Sequence, residues 1–238
     1  MTLDFAVWLH QCRRDGQATQ EQAEALITLS NAQGFPLPLA HGTVSRGWAL
    51  AEQGQSEEGI SQVRQGLAAC QAVGAGMSRS HDLALLAEAY GKAGKIEEGL
   101  TAVAEALAVI GKTGERFYEA ELYRLRGELT FAREGKEKSQ KSKGKSQKLE
   151  NSDPKSQRPE PCTEAGAEAC FLKAIEIARR QSAKMPELRA TVSLARLWQQ
   201  QGKKKEAHEL LAEIYDWFTE GFDTKDLQEA KALLQELA

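Results

Sequence analysis

Four histidines, four cysteines and several close pairs of acids are the side chains here best suited to chemistry. His10, His41, His81 and His208 include no His-x-x-x-His spacing, so no helix would turn two imidazoles toward one metal ion. Cys12, Cys70, Cys162 and Cys170 form no Cys-x-x-Cys pair of the zinc-ribbon or redox kind and read as reduced, half-buried thiols. His81 and Asp82 are neighbours, which on a helix point in different directions, and no Gly-x-Ser-x-Gly turn supplies a nucleophile. Glu57 with Glu58, and Glu119 with Glu121, are spaced too closely to share a helical face, so solvated acids are expected rather than a glycosidase-like pair. The sequence has no Gly-x-x-x-x-Gly-Lys-Ser/Thr phosphate loop. The expectation is a chain that is not an enzyme and takes neither metal nor cofactor.

The elements that would position other functions are more legible. A net charge of −3 gives no global case for nucleic acid or an anionic membrane, and 41% apolar residues suit a folded chain. No run approaches the about eighteen apolar residues of a membrane span. The opening "MTLDFAVWLHQCRRDG" places an acid and a His-Gln-Cys-Arg-Arg run where a signal peptide would keep an apolar core, so a cytoplasmic protein is expected. Apolar residues recur at helical spacing: Leu83, Leu86, Ala87 and Tyr90 form one stripe, and Ile96, Leu100, Val103, Leu107 and Ile110 another. No β-branched run alternates with period two. Gly34, Gly74 and Gly114 read as helix stops, and Glu57-Glu58 and Glu97-Glu98 as acids in first turns. Asp223 with Asp226 suggests the start of a last helix, "LQEAKALLQELA".

These helices come in pairs, and the pairs repeat. A small residue recurs in the first helix at Gly47, Ala87, Gly127 and Ala195, with intervals of 40, 40 and 68, and in the second at Gly59, Gly99, Ala167 and Ala207, with intervals of 40, 68 and 40. Small residues at fixed places admit a neighbouring helix that a larger side chain would hold off. Gly59-Val63-Gly66, Gly99-Val103-Ala106 and Ala167-Phe171-Ala174 carry the small, large, small pattern, from which Ala207-Leu211-Ile214 departs at its end. The pattern resembles the tetratricopeptide repeat, with a period of about 40 in place of 34. The resemblance implies an all-α, right-handed α-solenoid of antiparallel helix pairs, forming one domain over residues 1–238. About eleven helices are expected.

Longer phrases carry a closer resemblance. "RGWALAEQGQSEEGI", "LALLAEAYGKAGKIEEGL" and "KTGERFYEAELYRLRGEL" are similar to the C-terminal repeats of bacterial adenylate/guanylate cyclase or kinase fusions with a STAND/AAA-type ATPase. That resemblance covers about Phe5 to Leu237 and implies a regulatory and sensory interaction region. The chain carries none of the family's catalytic motifs, and an upstream ATPase or cyclase domain is a possible partner.

The 68-residue interval holds "KEKSQKSKGKSQKLENSDPKSQRPEP", residues 136–161, with eight basic and four acidic residues and almost nothing apolar. Such a segment cannot bury enough surface to offset its ordering entropy, so a disordered low-complexity insert is expected there. It lacks the interleaved aromatics of a base-stacking surface, and nucleic acid is not the expected partner.

In a solenoid of this kind the first helices line the concave side, where extended segments or helices of partners bind. The tetratricopeptide register places His41, Trp48, Glu52, His81, Glu88, Lys92, Glu121, Arg124, Glu128, Arg189, Arg196 and Gln199 on that face. The stripe is acidic toward the middle and basic near Arg189 and Arg196, which suits a protein partner of mixed charge. Trp198 and Trp217 are expected in the core, and Trp48 divides between core and groove. The expected function is a non-catalytic protein-interaction scaffold; the alternative is a ligand- or nucleic-acid-binding regulatory domain like those of transcriptional activators with long helical repeats. Phe5, Val7, Trp8 and Leu9 have no preceding helix to cover them, so an apolar patch open to self-association is expected at that end.

Overall fold

Proline and glycine set where the helices begin and end. A computed structural model of the chain describes residues 2–76, 78–143 and 164–238. Among these it contains eleven helices and no strand: α1 (Thr2–Cys12), α2 (Gly16–Gln33), α3 (Pro36–Glu52), α4 (Ser56–Ala72), α5 (Arg79–Lys92), α6 (Ile96–Thr113), α7 (Glu119–Lys143), α8 (Glu164–Arg180), α9 (Lys184–Gln200), α10 (Lys204–Tyr215) and α11 (Lys225–Leu237). Asp15 caps α2 by accepting from the Ala18 amide at 3.0 Å. Gly34 closes α2 with φ 67°, its amide bonded to the Ser30 carbonyl, and Pro36 then opens α3 at its first position. Gly74 and Gly114 also take left-handed backbone, and Glu57-Glu58 and Glu97-Glu98 stand in the first turns of α4 and α6.

The helices form two layers. Each odd-numbered helix packs on its sequence neighbours and on the next odd helix, from α1 on α3 through to α9 on α11, whereas among the described residues the backbones of the even helices approach only those of their sequence neighbours. The odd helices are therefore the inner row of an all-α solenoid.

Small residues make the pairs close. A Cβ on Gly47 would fall 2.7 Å from the Gly59 carbonyl oxygen and 2.7 Å from the Val63 nitrogen, and one on Gly59 would fall 2.5 Å from the Gly47 carbonyl. In the next pair Gly99 stands wedged between Ala87 of α5 and Leu129 of α7, and in the following pair Gly127 lies against the Phe171 ring. Trp48, Leu85, Val103 and Leu122 fill the core between these helices, and Leu188, Leu211 and Leu227 fill a second cluster under α9, α10 and α11.

Four expectations change. Glu119 and Glu121, expected as solvated acids, are buried, Glu119 paired with Arg116 at 3.0 Å and Glu121 with Arg124 at 2.7 Å. Trp217 is 57% exposed rather than core, because α10 ends at Tyr215 and the tryptophan lies on the turn beyond, against Phe218 and beneath Lys184. Val7 is buried against Ala23 and Leu26, while Phe5, Trp8 and Leu9 remain exposed. Residues 136–143, assigned to a disordered insert, continue α7, and Lys136 donates to the Gly94 carbonyl at 2.8 Å. Residues 144–161 of that segment lie outside the described residues.

Candidate partner-binding surface

Register places residues of the inner row in lines running across the pairs. His41, His81, Glu121 and Arg189 occupy one line, at the same 40, 40, 68 intervals. His41 Nδ1 lies 3.5 Å from the Asp4 carboxylate of α1, and this hydrogen-bonding contact pushes the imidazole up to about 10 against the opposing effect of burial. His81 is buried, with Nε2 3.1 Å from Gln11 Oε1, Nδ1 3.5 Å from Asp82, and its ring edge-on to Tyr118 at 4.7 Å. Glu121 accepts from Arg124 Nε at 2.7 Å and lies 3.9 Å from Arg189 Nη1. Arg189 in turn donates to Asp226 at 2.7 and 2.9 Å and to the main-chain oxygen of Cys12 at 2.5 Å. This line holds down α1 and α11.

A second line is Trp48, Glu88, Glu128 and Arg196. Trp48 is fully buried, so its contribution is an indole N–H donated to Glu88 rather than a face offered to a partner. Glu88 and Glu128 hold equivalent positions and titrate in opposite directions. Burial pushes Glu88 up, with Arg124 3.4 Å away opposing it. Burial acts on Glu128 in the same sense, but Arg124 at 2.6 Å and the Ser193 hydroxyl at 2.8 Å outweigh it and hold the carboxyl below its usual range. Arg196 reaches Glu229 of α11 at 3.5 Å. Glu52, one turn beyond Trp48, binds Lys92 at 3.0 Å and Lys225 at 3.4 Å. Gln199 lies apart from these, 3.4 Å from Glu236.

Glu88, Glu128 and Arg196 of the second line and Arg189 of the first border a cavity of about 270 Å³. Glu52, Glu88, Lys92, Arg124, Glu128, Arg189 and Arg196 line it; His41, Trp48, His81, Glu121 and Gln199 do not. Its floor is apolar, formed by Leu125, Leu129, Leu188 and Val192. Arg14, Ser193, Asp226 and Glu229 complete the wall and escaped the sequence reading. Asp226 reads in sequence as a helix-start residue, Arg14 as part of a basic pair, and Glu229 follows Arg196 by 33 residues, an interval outside the repeat period. Their place in the wall depends on the two ends of the array meeting.

Among the described residues no cluster of His, Cys, Asp and Glu could hold a metal ion, and no helix is long and apolar enough to cross a membrane. The cavity wall combines carboxylates and cations already hydrogen-bonded to one another, an arrangement able to recognise charge and shape.

Comparison with solved structures agrees with this architecture. The fold is similar to that of a Podosopora anserina putative kinesin light chain with nearly identical TPR-like repeats, at 15% identity over 99% of this chain and 94% of that one, TM-score 0.52. The Q17M form of that protein is similar at 16% identity over 90% of this chain and 91% of that one, TM-score 0.54. No family model matches the sequence, and no curated protein does. The likeness is one of fold: a TPR-like array of helix pairs.

Proposed function

We propose that the chain is a non-catalytic scaffold that takes a segment of a protein partner, a peptide stretch or a helix of mixed charge, on its inner face. The observation that carries this reading is the convergence of Lys92, Arg124, Arg189 and Arg196 with Glu52, Glu88 and Glu128 around one cavity with an apolar floor. Charges of both signs fix the register and orientation of a partner that carries both, and the floor accepts an aliphatic side chain. A polyanion would meet the acids as repulsion, which disfavours nucleic acid. The resemblance of its sequence phrases to the repeats of cyclase/ATPase fusions supports a place as the regulatory repeat region of a bacterial signalling protein in the cytoplasm.

Lys92 and Arg196 are the most solvent-accessible cations of the wall, so their reversal leaves the core untouched. The test compares tagged wild-type chain with the Lys92→Glu/Arg196→Glu double variant, using cross-linking and mass spectrometry in host lysate. The expected result is a protein cross-linked near Lys92 in the wild type and lost in the variant, with helicity and melting midpoint preserved. Capture unaffected by the reversal would remove the inner face from the binding surface, and a shift of nucleic acid by the wild type would favour the regulatory alternative.

A further inference from the structure

The turn between α1 and α2 meets the opposite end of the array. Arg13 lies 3.0 Å from Asp223, Arg14 3.0 Å from Asp226 and 3.5 Å from Glu229, and Lys225 3.4 Å from Glu52. These partners are separated by 173 to 215 residues in sequence. Arg189 adds the bond to the Cys12 carbonyl.

What is missing from this junction is as informative as what it holds. Among the described residues α1 packs on α2 and α3, and α11 packs on α9 and α10, with no helix packing between the two ends. The ends thus meet through polar side chains and one main-chain oxygen, with no apolar face that would have to be exposed on parting. The cross-junction cations are partly solvated: the Arg13, Arg14 and Lys225 side chains keep 47%, 27% and 46% of their surface. Ion pairs of that exposure are worth little net, because water takes over their charges when they separate. The buried acids of the junction, Asp226 and Glu52, stay paired after parting, Asp226 with Arg189 on the same end of the array and Glu52 with Lys92 at 3.0 Å. Arg14 also holds φ 57°, a backbone conformation in which non-glycine residues are uncommon.

The junction also borders the cavity: Arg14, Arg189, Asp226 and Glu229 all line it. We propose that this junction is a latch, which closes the inner cavity in the free protein and parts to admit the partner segment. The latch relies on the scaffold reading for its purpose, but closing and parting are properties of the chain alone. Parting separates pre-formed rigid halves of a repeat array, where each pair depends only on its neighbours.

The test therefore needs no partner. Full-length Arg13→Gln/Arg14→Gln chain is compared with wild type by small-angle scattering and hydrogen exchange, and wild type is followed from about 0.05 M to about 1 M salt, where the Debye length falls to about 3 Å. The latch predicts a larger maximum dimension for the variant and for wild type at high salt. It also predicts amide exchange several-fold faster in α1 and α11, with α5 and α6 unchanged as internal reference. Unchanged dimension and exchange would overturn it. So would acceleration spread evenly over all helices, because the junction would then be part of one cooperative core. The single Arg14→Gln change repeats the comparison with a milder perturbation should the double variant fold poorly. A failed latch leaves the Lys92/Arg196 cross-linking result standing, and a failed cross-linking result leaves the latch standing.

Discussion

Trp48 donates its indole Nε1–H to Glu88 at 2.5 Å across an interval of forty residues, so one register position supplies a donor in one helix pair and its acceptor in the next. The bond satisfies a buried indole and partly solvates a carboxyl that burial disfavours. Trp48→Phe leaves that carboxyl with Arg124 alone and is expected to cost about 1–3 kcal/mol, the scale of an unsatisfied buried polar group, plus the smaller ring's loss of packing. Adding Glu88→Gln to Trp48→Phe should recover part of the loss. Thermal or denaturant melts of both singles and the double give the coupling directly; strictly additive costs would mean that the pair does not act as a unit.

The small residues of the repeat should not be equally sensitive. A Cβ on Gly47 meets main-chain atoms of Gly59 and Val63 at 2.7 Å, which yield only if the two helices move apart. At Gly99 the nearest atoms are Leu129 methyls at 3.0 and 3.1 Å, the ends of a side chain that can turn. Gly47→Ala is expected to destabilise by on the order of 1–3 kcal/mol through overpacking. Gly99→Ala should be close to neutral, because the gain in helix propensity of about 1 kcal/mol offsets a small displacement. Equal melting midpoints for the two variants would refute the distinction.

His41 makes the docking of α1 sensitive to alkaline pH. Its folded value is raised, to about 10, above the ordinary value of about 6.5. A raised histidine contributes stability that is fully present below the unfolded value and is lost as pH climbs through the folded one, here between about 6.5 and about 10. Both partners are partly exposed, so screening limits the contribution to below about 1 kcal/mol. Asp4→Asn should remove that part of the pH dependence. The measurement is the difference in melting midpoint between wild type and variant, which should shrink toward zero at the alkaline end of the window.

Phe5, Trp8 and Leu9 expose large apolar side chains along one side of α1, at 68%, 46% and 58%. Grouped exposure of that kind favours association. Sedimentation of the wild type should depend on concentration, and Phe5→Ser/Trp8→Ser should abolish the dependence while Val7, against Ala23 and Leu26, keeps α1 in place. A wild type that is monomeric at high concentration and unaltered by the change would count against the patch.

The boundary of the low-complexity segment gives a fifth test. Replacing residues 144–161 with a short Gly-Ser linker should leave the melting midpoint nearly unchanged, since closure entropy varies slowly with loop length. Starting the replacement at Lys136 removes the last two turns of α7 and the bond to Gly94, and should lower the midpoint measurably. A drop of equal size in both chains would show that residues 144–161 carry structure.

The repeat was legible because its signals are local. Gly34, Gly74 and Gly114 mark helix ends through backbone conformation, and Gly47 and Gly59 mark contact between consecutive helices through the space a Cβ would need. Both effects act over a few residues or across one turn, so spacing reveals them. Trp217 misled because helical spacing continues in sequence past Tyr215, where the helix itself has ended. Basic composition likewise hid the continuation of α7 through residues 136–143, which a lysine bonded to a neighbouring turn helps to hold.

Sequence by itself determined the helix pairs, their register and the charged lines of the inner row, because each follows from intervals along the chain. Only the tertiary structure decided that Arg189 of one line and Glu88, Glu128 and Arg196 of the other border one cavity and that Arg14 meets Asp226 from 212 residues away. The physical reason is accumulation. The course of an array is the sum of small rotations between successive pairs, each set by how side chains seat across a helix contact. No single residue encodes that sum, so whether the two ends meet, and whether the charges between them face a partner or one another, emerges only when every pair is packed.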